Sequence, residues 1–458
     1  MTILEPGLKR AEPEAAVPAF TPPDTPVSGG EGGWSPAAIY TLAMLTITFA
    51  FNYFDRLLIS LLFPLIQKDL SLSDTDLGLI SGVAFVLIYA FMGIPVSRIA
   101  DRGNRKWIIG LGFSFWSLMT VLTGFVTNFW QLAATRFLMG AGESSGTPSS
   151  SSMLSDLFDK ERRPVAFSVM VSGTSISGML LTPAAGWIAQ LYGWRAAYWI
   201  AGGIGLFFGL VVLLTVKEPQ RGRFDPVPVR DDEARPALGE SLLYLLRRRT
   251  YVYTTLAASL FIISFYAYIV WNTTFMVRIH HMSVAHTASL FGPIGGISGL
   301  IGGLSAGPTL AWLNRRDERW QFALPALCFL VAGGAQYAFL FAPGLWGLLS
   351  AAALGSFAVT MAVPLISLIL IQILPPRIRT FGMAFYFLAN SLLGDILGPL
   401  AVGLLNDHFQ AIWGDEAIRR SMAVTAAMSI VSAPVLLLAG RYLAKDRKAA
   451  EDWIPATR

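Results

Sequence analysis

The sequence predicts an all-α polytopic membrane protein of twelve transmembrane helices in two pseudo-symmetric six-helix bundles. Three observations predict it: a composition too apolar for water, about a dozen apolar windows of spanning length, and one long hydrophilic connection near the middle. Of 458 residues, 54% are hydrophobic and only 14% charged. A soluble domain carries roughly a quarter charged residues. Surface-to-volume scaling would also leave too little interior to hide so much apolar surface. Lipid is the solvent such a chain requires.

Windows of about 20 mostly apolar residues place spans 1 to 12 at roughly 36–66, 75–98, 106–127, 129–153, 163–191, 194–216, 250–279, 286–313, 321–342, 345–373, 379–405 and 418–443. Residues 1–34 are rich in Pro, Glu, Ala and Gly and have no basic stretch leading into an apolar one. They read as a disordered cytoplasmic tail and not as a cleaved signal peptide. Residues 217–249 form the long hydrophilic linker between bundles 35–216 and 250–445, and 446–458 form a second tail. Within the linker, apolar residues from Leu238 give way to arginines up to Arg249, which predicts an amphipathic helix at the interface.

The net charge of +5 looks at first like a nucleic-acid signal, but the placement of the charges fits topology instead. Arg98, Arg102, Arg105, Lys106, Lys160, Arg162, Arg163, Arg315, Arg316, Arg319, Arg377 and Arg379 fall on one side with the Arg-rich linker. The other side has Lys68, Arg195, Arg278, Arg419 and Arg420. The positive-inside rule puts the first set and both termini in the cytoplasm of a cell whose membrane is bacterial inner or eukaryotic plasma membrane. The halves also share a register. Arg163, Gly178 and Pro183 of span 5 find the same residue types 216 positions later at Arg379, Gly394 and Pro399 of span 11. Parallel six-helix repeats place a substrate site between the halves near the bilayer midplane.

Ionisable groups inside spans are costly and mark function. Span 1 holds Asp55 and Arg56, span 4 holds Arg136 and Glu143, and span 11 holds Asp395. Arg136 and Glu143 are two helical turns apart and share a face, roughly 10 Å from one another. Arg136 falls in the outer half of its span, Glu143 near the middle, and Asp55 also in the outer half. Arg136 can therefore pair with either acid. Burial favours a neutral acid and a nearby guanidinium favours the carboxylate, so moving Arg136 between the two acids would bind and release protons. A static ion pair fixing span 1 to span 4 is the competing reading. Arg56 can snorkel outward, and Asp395 has no partner identifiable from sequence.

The loop between spans 2 and 3 carries Asp101, Arg102 and Arg105. Asp101 can sit against the positive N-terminus of span 11, and the neighbouring arginine can reach Asp156 at the inner end of span 4. Such contacts would latch a cytoplasmic gate in the outward-open state. Plain positive-inside charge explains the arginines but not the acid among them.

These same residues resemble the major facilitator superfamily: the 2–3 loop resembles its signature loop. Asn52-Tyr53-Phe54-Asp55-Arg56, Asp101 through Lys106, Arg136 through Glu143 and Asp156-Leu157-Phe158 are similar to the spinster group. The likeness covers mainly the first half. In the 8–9 loop the signature is degraded to Asn314-Arg315-Arg316-Asp317. The resemblance implies a proton-linked carrier of amphipathic lipids such as lysolipids or sphingosine phosphates, with cavity roles for Asp55, Arg136 and Glu143. Sugar-acid and organic-anion symporters share a similar Asp-Arg in span 1 and Arg in span 4, which keeps that alternative open. Gly173, Gly178, Pro183 and Gly186 loosely resemble the antiporter motif of span 5, with Thr182 departing from it. The second half is aromatic, and Tyr268 and Trp271 of span 7, with Arg56 and Asp395, are candidate cavity lining.

Other chemistries are excluded. Gly142-Glu143-Ser144-Ser145-Gly146 matches a hydrolase elbow, but it lies within a membrane span rather than on a strand-to-helix turn. His280, His281 and His286 have no acid at ligand spacing, and no phosphate-binding loop is present. The expectation is a carrier with no cofactor, protons as coupling ion, an amphipathic small-molecule or lipid substrate, membrane lipids and not nucleic acid as partner, a monomeric state and no enzymatic reaction. A channel would need a filter-like repeat or charged ring, and a receptor an extracellular domain.

Overall fold

Span 1 is one helix, Pro36–Leu70. Ser35 caps it by accepting from the Ala38 N–H at 3.2 Å, and Pro36 occupies the first turn, where a missing N–H is harmless. The computed structural model describes residues 34–221, 224, 238–375, 377–451 and 453; the side chains at 94, 97, 101 and 102 lie outside the description. Span 2 runs Asp74–Ser81 and Val83–Arg102, span 3 Arg105–Thr123, and span 4 Phe129–Glu143 and Gly146–Leu157. Span 5 extends from Arg163 to Tyr192 and span 6 is Trp194–Thr215. The second half holds Arg249–His280, Val284–Asn314, Trp320–Phe341 and Leu345–Ile373 as spans 7 to 10. Span 11 runs from Arg379 to Trp413, and span 12 is Ala417–Gly440.

Among the described residues there is no strand. Ten helical runs are long and apolar enough to cross a membrane. The run Arg379–Gly440 contains two spans, and span 4, interrupted after Glu143, is the remaining one. The expected windows therefore all form helices. Span 11 differs most, running eight residues past its expected end at 405 to Trp413 because Asn406, Asp407 and His408 continue the helix. The linker's second part is helical at Leu238–Arg247, with Leu238, Leu243 and Leu246 exposed and Tyr244 and Leu245 buried. The expected tail at 446–458 begins differently: Leu443–Glu451 is helical, and Asp446 is buried, accepting from the Thr250 N–H at 2.7 Å. The tail at 1–33 and linker residues 225–237 lie outside the described residues.

The 216-residue register has a structural counterpart. Span 5 relaxes into a π-helical turn at Ser177–Leu181 and span 11 at Ser391–Asp395. Pro183 and Pro399 follow these turns, and a proline removes one donor from the helical ladder, which favours such a local adjustment. Each turn faces a glycine pair on the opposite half. Gly78 and Gly82 of span 2 lie against Pro399 and Asp395–Ile396, where an added Cβ would come 2.9 Å from the Pro399 carbonyl and 3.1 Å from the Asp395 carbonyl. Gly292 and Gly296 of span 8 lie against Gly178 and Met179 of span 5. Two glycine-lined crossings, 2 with 11 and 5 with 8, thus join the halves.

Both described chain ends lie at one face: Trp34 packs at a tilt against Phe158 at the end of span 4, and Asp446 caps the start of span 7. We call this the terminus side and the opposite face the far side. The far side is closed by polar contacts between halves. Arg278 of span 7 grips both carboxylate oxygens of Asp74, at 2.7 and 2.5 Å, and Gln67 donates to the same acid at 2.7 Å. Asp407 of span 11 accepts from the N–H groups of Asp74 and Thr75 at 3.1 and 2.8 Å, capping span 2 from the other half. On the terminus side, Gly146–Leu157 of span 4 and Arg379–Asn390 of span 11 pack within their own halves.

Candidate functional site

A narrow cleft lies between the halves at mid-depth. Its first-half wall carries Tyr53, Arg56 and Ser60 of span 1 and Arg136 of span 4. Its second-half wall carries Tyr266, Ile269 and Val270 of span 7 and Asp395 of span 11. The division follows from helical spacing. Residues 53, 56 and 60 recur at three and four positions and fall on one face of span 1, as do 266, 269 and 270 on span 7.

Behind the cleft the charges of spans 1 and 4 converge. Glu143 is fully buried, and its Oε2 accepts from Arg56 Nε at 3.0 Å and from Asn52 Nδ2 at 3.2 Å. Its Oε1 has no hydrogen-bond partner among the described residues. The Arg56 guanidinium rests over the Phe85 and Tyr89 rings of span 2, at 4.9 and 4.6 Å from their centroids, a cation–π arrangement that holds its plane. Of the two placements expected for Arg56, outward or lining the cavity, Glu143 and the two rings hold it in the second, against the cleft wall. Asp55 is buried, with Thr120 Oγ1 of span 3 at 3.1 Å from Oδ1; the same hydroxyl lies 3.1 Å from the Trp116 carbonyl. Arg136, also buried, reaches the backbone carbonyl of Asp55 at 3.3 Å and lies over Phe85, while its Nε has no partner among the described residues. Arg136 thus stands between the two acids without an ion pair to either among the described contacts. Glu143 is held instead by Arg56.

Asp395 sits in the π-turn of span 11 and accepts from Ser391 Oγ at 2.8 Å. Tyr268 and Trp271 are elsewhere. Trp271 is fully buried and donates to the Pro399 carbonyl at 3.0 Å, and Tyr268 packs edge-on to Phe339 inside the second half. This corrects the expected lining: at 100° per residue, the face of span 7 that meets the cleft runs through Tyr266, two residues earlier.

Of the expected gate, Arg105 and Asp156 are joined at 2.5 Å. Arg105 is buried and also binds Glu218 at 2.7 Å and the Ser152 carbonyl at 3.0 Å, so it ties the ends of spans 3, 4 and 6 together within the first half. The side chains of Asp101 and Arg102 lie outside the described residues. Sequence reasoning missed Glu218, Thr120 and the far-side set Gln67, Asp74 and Asp407, and did not single out Tyr266 from the other aromatic residues of span 7. The charges among these stand at helix ends, where they read as ordinary loop polarity. The uncharged groups gave no signal beyond their place in a span.

Residues 45–333 match the Major Facilitator Superfamily. A Mycolicibacterium smegmatis protein named MFS-type efflux pump is 29% identical, over 88% of this chain and 93% of its own length. The sphingosine-1-phosphate transporter SPNS2 of Danio rerio is 27% identical, over 85% of this chain and 80% of its own. A crystal structure of a bacterial homologue of the human lysosomal transporter Spinster, inward-facing and unoccupied, has a TM-score of 0.77 at 26% identity, covering 93% of this chain and 100% of that one.

Proposed function

The chain belongs to the Major Facilitator Superfamily, and on that premise we propose that it is a proton-coupled secondary active transporter of an amphipathic, lipid-like substrate of the lysolipid or sphingosine-phosphate kind. It is an integral membrane transporter and not an enzyme. In the proposed setting the terminus side faces the cytoplasm, and the cleft opens toward the cytoplasmic leaflet of the cell membrane. The observation that carries the reading is the Asp55–Arg136–Glu143–Arg56 group, buried but for Arg56, against a second-half wall where Ile269 and Val270 stand beside Tyr266 and Asp395. One wall suits an ionic head and the other an alkyl chain. The relative named for sphingosine-1-phosphate transport supports the same class.

Proton coupling has a local rationale. The Thr120 hydroxyl can donate to an ionised Asp55, or turn to the Trp116 carbonyl and accept from a protonated Asp55. Either state is satisfied without moving the backbone. Glu143 is held by one guanidinium with a second, Arg136, close by. Protonation of Glu143 would release Arg56, and ionisation of Asp55 or Glu143 would draw Arg136 toward that acid, so that Arg136 exchanges between the two as they titrate. The two halves would then rock about the 2–11 and 5–8 crossings, alternately exposing the cleft. Uptake into proteoliposomes tests the substrate class: a lysolipid should accumulate with an imposed pH gradient and a sugar acid should not. Accumulation of the sugar acid alone would establish the organic-anion alternative.

A further inference from the structure

The cleft holds one ionisable group from the second half that the coupling scheme above does not use. Asp395 faces Arg56 across the cleft and lies within its electrostatic reach. Arg56 uses Nε for Glu143, and its two terminal nitrogens make no hydrogen bond to a described residue. The guanidinium is a fork with two usable edges. One edge is therefore committed to the first half, and the other is presented to the cleft, where Asp395 is the acidic lining group among the described residues. Asp395 also sits in a π-turn, a local distortion that proteins often keep at functional positions.

We propose that Asp395 controls access of an anionic headgroup to the free edge of Arg56: ionised, it competes with the anion for the guanidinium, and protonated, it leaves that edge to the substrate. The proposal rests on the reading of this cleft as the substrate site and makes Asp395 a positioning residue for the headgroup. The other titratable group facing Asp395 is Tyr266 of span 7, which in turn neighbours Tyr53 of span 1 and Tyr89 of span 2, with Ser391 on its own span as hydrogen-bond donor. Arg136 of span 4 lines the same cleft. Neutral phenols do not compete for a cation as a carboxylate does, so the competition is between Asp395 and the ligand. Anion binding and protonation of Asp395 then assist one another, because linkage is reciprocal.

Lysophosphatidylglycerol is a suitable probe, since its phosphodiester keeps one negative charge from about pH 5.5 to 8.5. Monoacylglycerol of the same chain length is the uncharged control. In the full-length protein in detergent, lysophosphatidylglycerol affinity should fall about tenfold across that range, roughly 1.4 kcal/mol, and monoacylglycerol affinity should stay level. Asp395→Asn, which keeps an acceptor for Ser391, should hold the low-pH affinity for the anion throughout, and Asp395→Glu should restore the slope. A wild-type slope surviving in Asp395→Asn overturns the proposal, as does an equal slope for monoacylglycerol or no saturable binding of the anion at low pH. Label distances in the ligand-free protein across the same pH series read the Asp55 and Glu143 scheme separately. That scheme can fail while the Asp395 slope stands, and the reverse.

Discussion

Arg56 Nε donates to Glu143 Oε2 at 3.0 Å, joining span 1 to span 4 through an ion pair whose acid is fully buried and whose base is a quarter exposed to the cleft. The pair has unequal halves, and removing them has unequal consequences. Breaking a buried pair by deleting one member leaves the other charge uncompensated. Arg56→Ala should therefore destabilise the protein by about 3 kcal/mol, the lower end of the usual range because Arg56 touches solvent. Glu143→Gln should cost less, since the amide keeps an acceptor for Asn52 and Arg56 can hydrate in the cleft. The double variant should regain part of the Arg56→Ala loss. Thermal unfolding of the four proteins closes the cycle, and strict additivity would show that the two residues do not interact.

The far-side cluster should set the resting conformation. Arg278, Asp74, Gln67 and Asp407 bridge spans 7 and 11 to spans 1 and 2 only while the far side is closed. Asp407→Asn should weaken the cap on span 2, and Arg278→Gln should remove the bidentate grip. Each should raise the population open to the far side, by roughly tenfold for Arg278→Gln (about 1.4 kcal/mol). Spin labels at exposed Thr127 and Asp415, in a Cys328→Ala background, read the change as a longer distance component. An unchanged distance distribution in both variants would remove the latch role.

Arg105 should resist even conservative replacement. Its guanidinium serves Asp156 and the Ser152 carbonyl from Nη1, Glu218 from Nε and the Pro219 carbonyl from Nη2 while buried. A lysine offers one compact ammonium that cannot span those acceptors. We predict that Arg105→Lys lowers the unfolding temperature nearly as much as Arg105→Ala, whereas Glu218→Gln, losing one partner that is partly exposed, has the mildest effect of the three. Equal stability of Arg105→Lys and the parent would contradict this.

The fold was almost wholly legible in the sequence because spanning helices must satisfy every backbone group internally, so length and apolarity suffice to find them. The same rule made Asp55, Arg136, Glu143 and Asp395 conspicuous, since charge inside a span is costly. Their pairing was not legible. Arg56 and Arg136 lie at comparable depth, and the choice of partner for Glu143 depends on where Phe85 and Tyr89 of span 2 place a guanidinium plane. Tyr268 and Trp271 illustrate the same limit: an aromatic-rich span gives no apolar moment to orient it, so the cleft-facing residue, Tyr266, emerges only from packing.

The glycine crossings give the final prediction. Rocking requires spans 2 and 11 to slide on one another near the π-turn of span 11, and their backbones are close enough that a Cβ on Gly78 would lie 2.9 Å from the Pro399 carbonyl and 3.0 Å from Leu400 Cα. Backbone cannot yield as a side-chain tip can. Gly78→Val should therefore force the far-side ends of spans 2 and 11 apart, disturb the Asp407 cap and reduce transport while the protein still inserts. Gly303 of span 8 is the control, for a Cβ there meets nothing within 4 Å. Gly303→Ala should leave transport intact and raise stability by about 0.5 kcal/mol through the helix preference of alanine. Substrate uptake and unfolding temperature measured side by side distinguish the sites: similar uptake by both variants would show that the 2–11 crossing tolerates added bulk and is not the sliding surface.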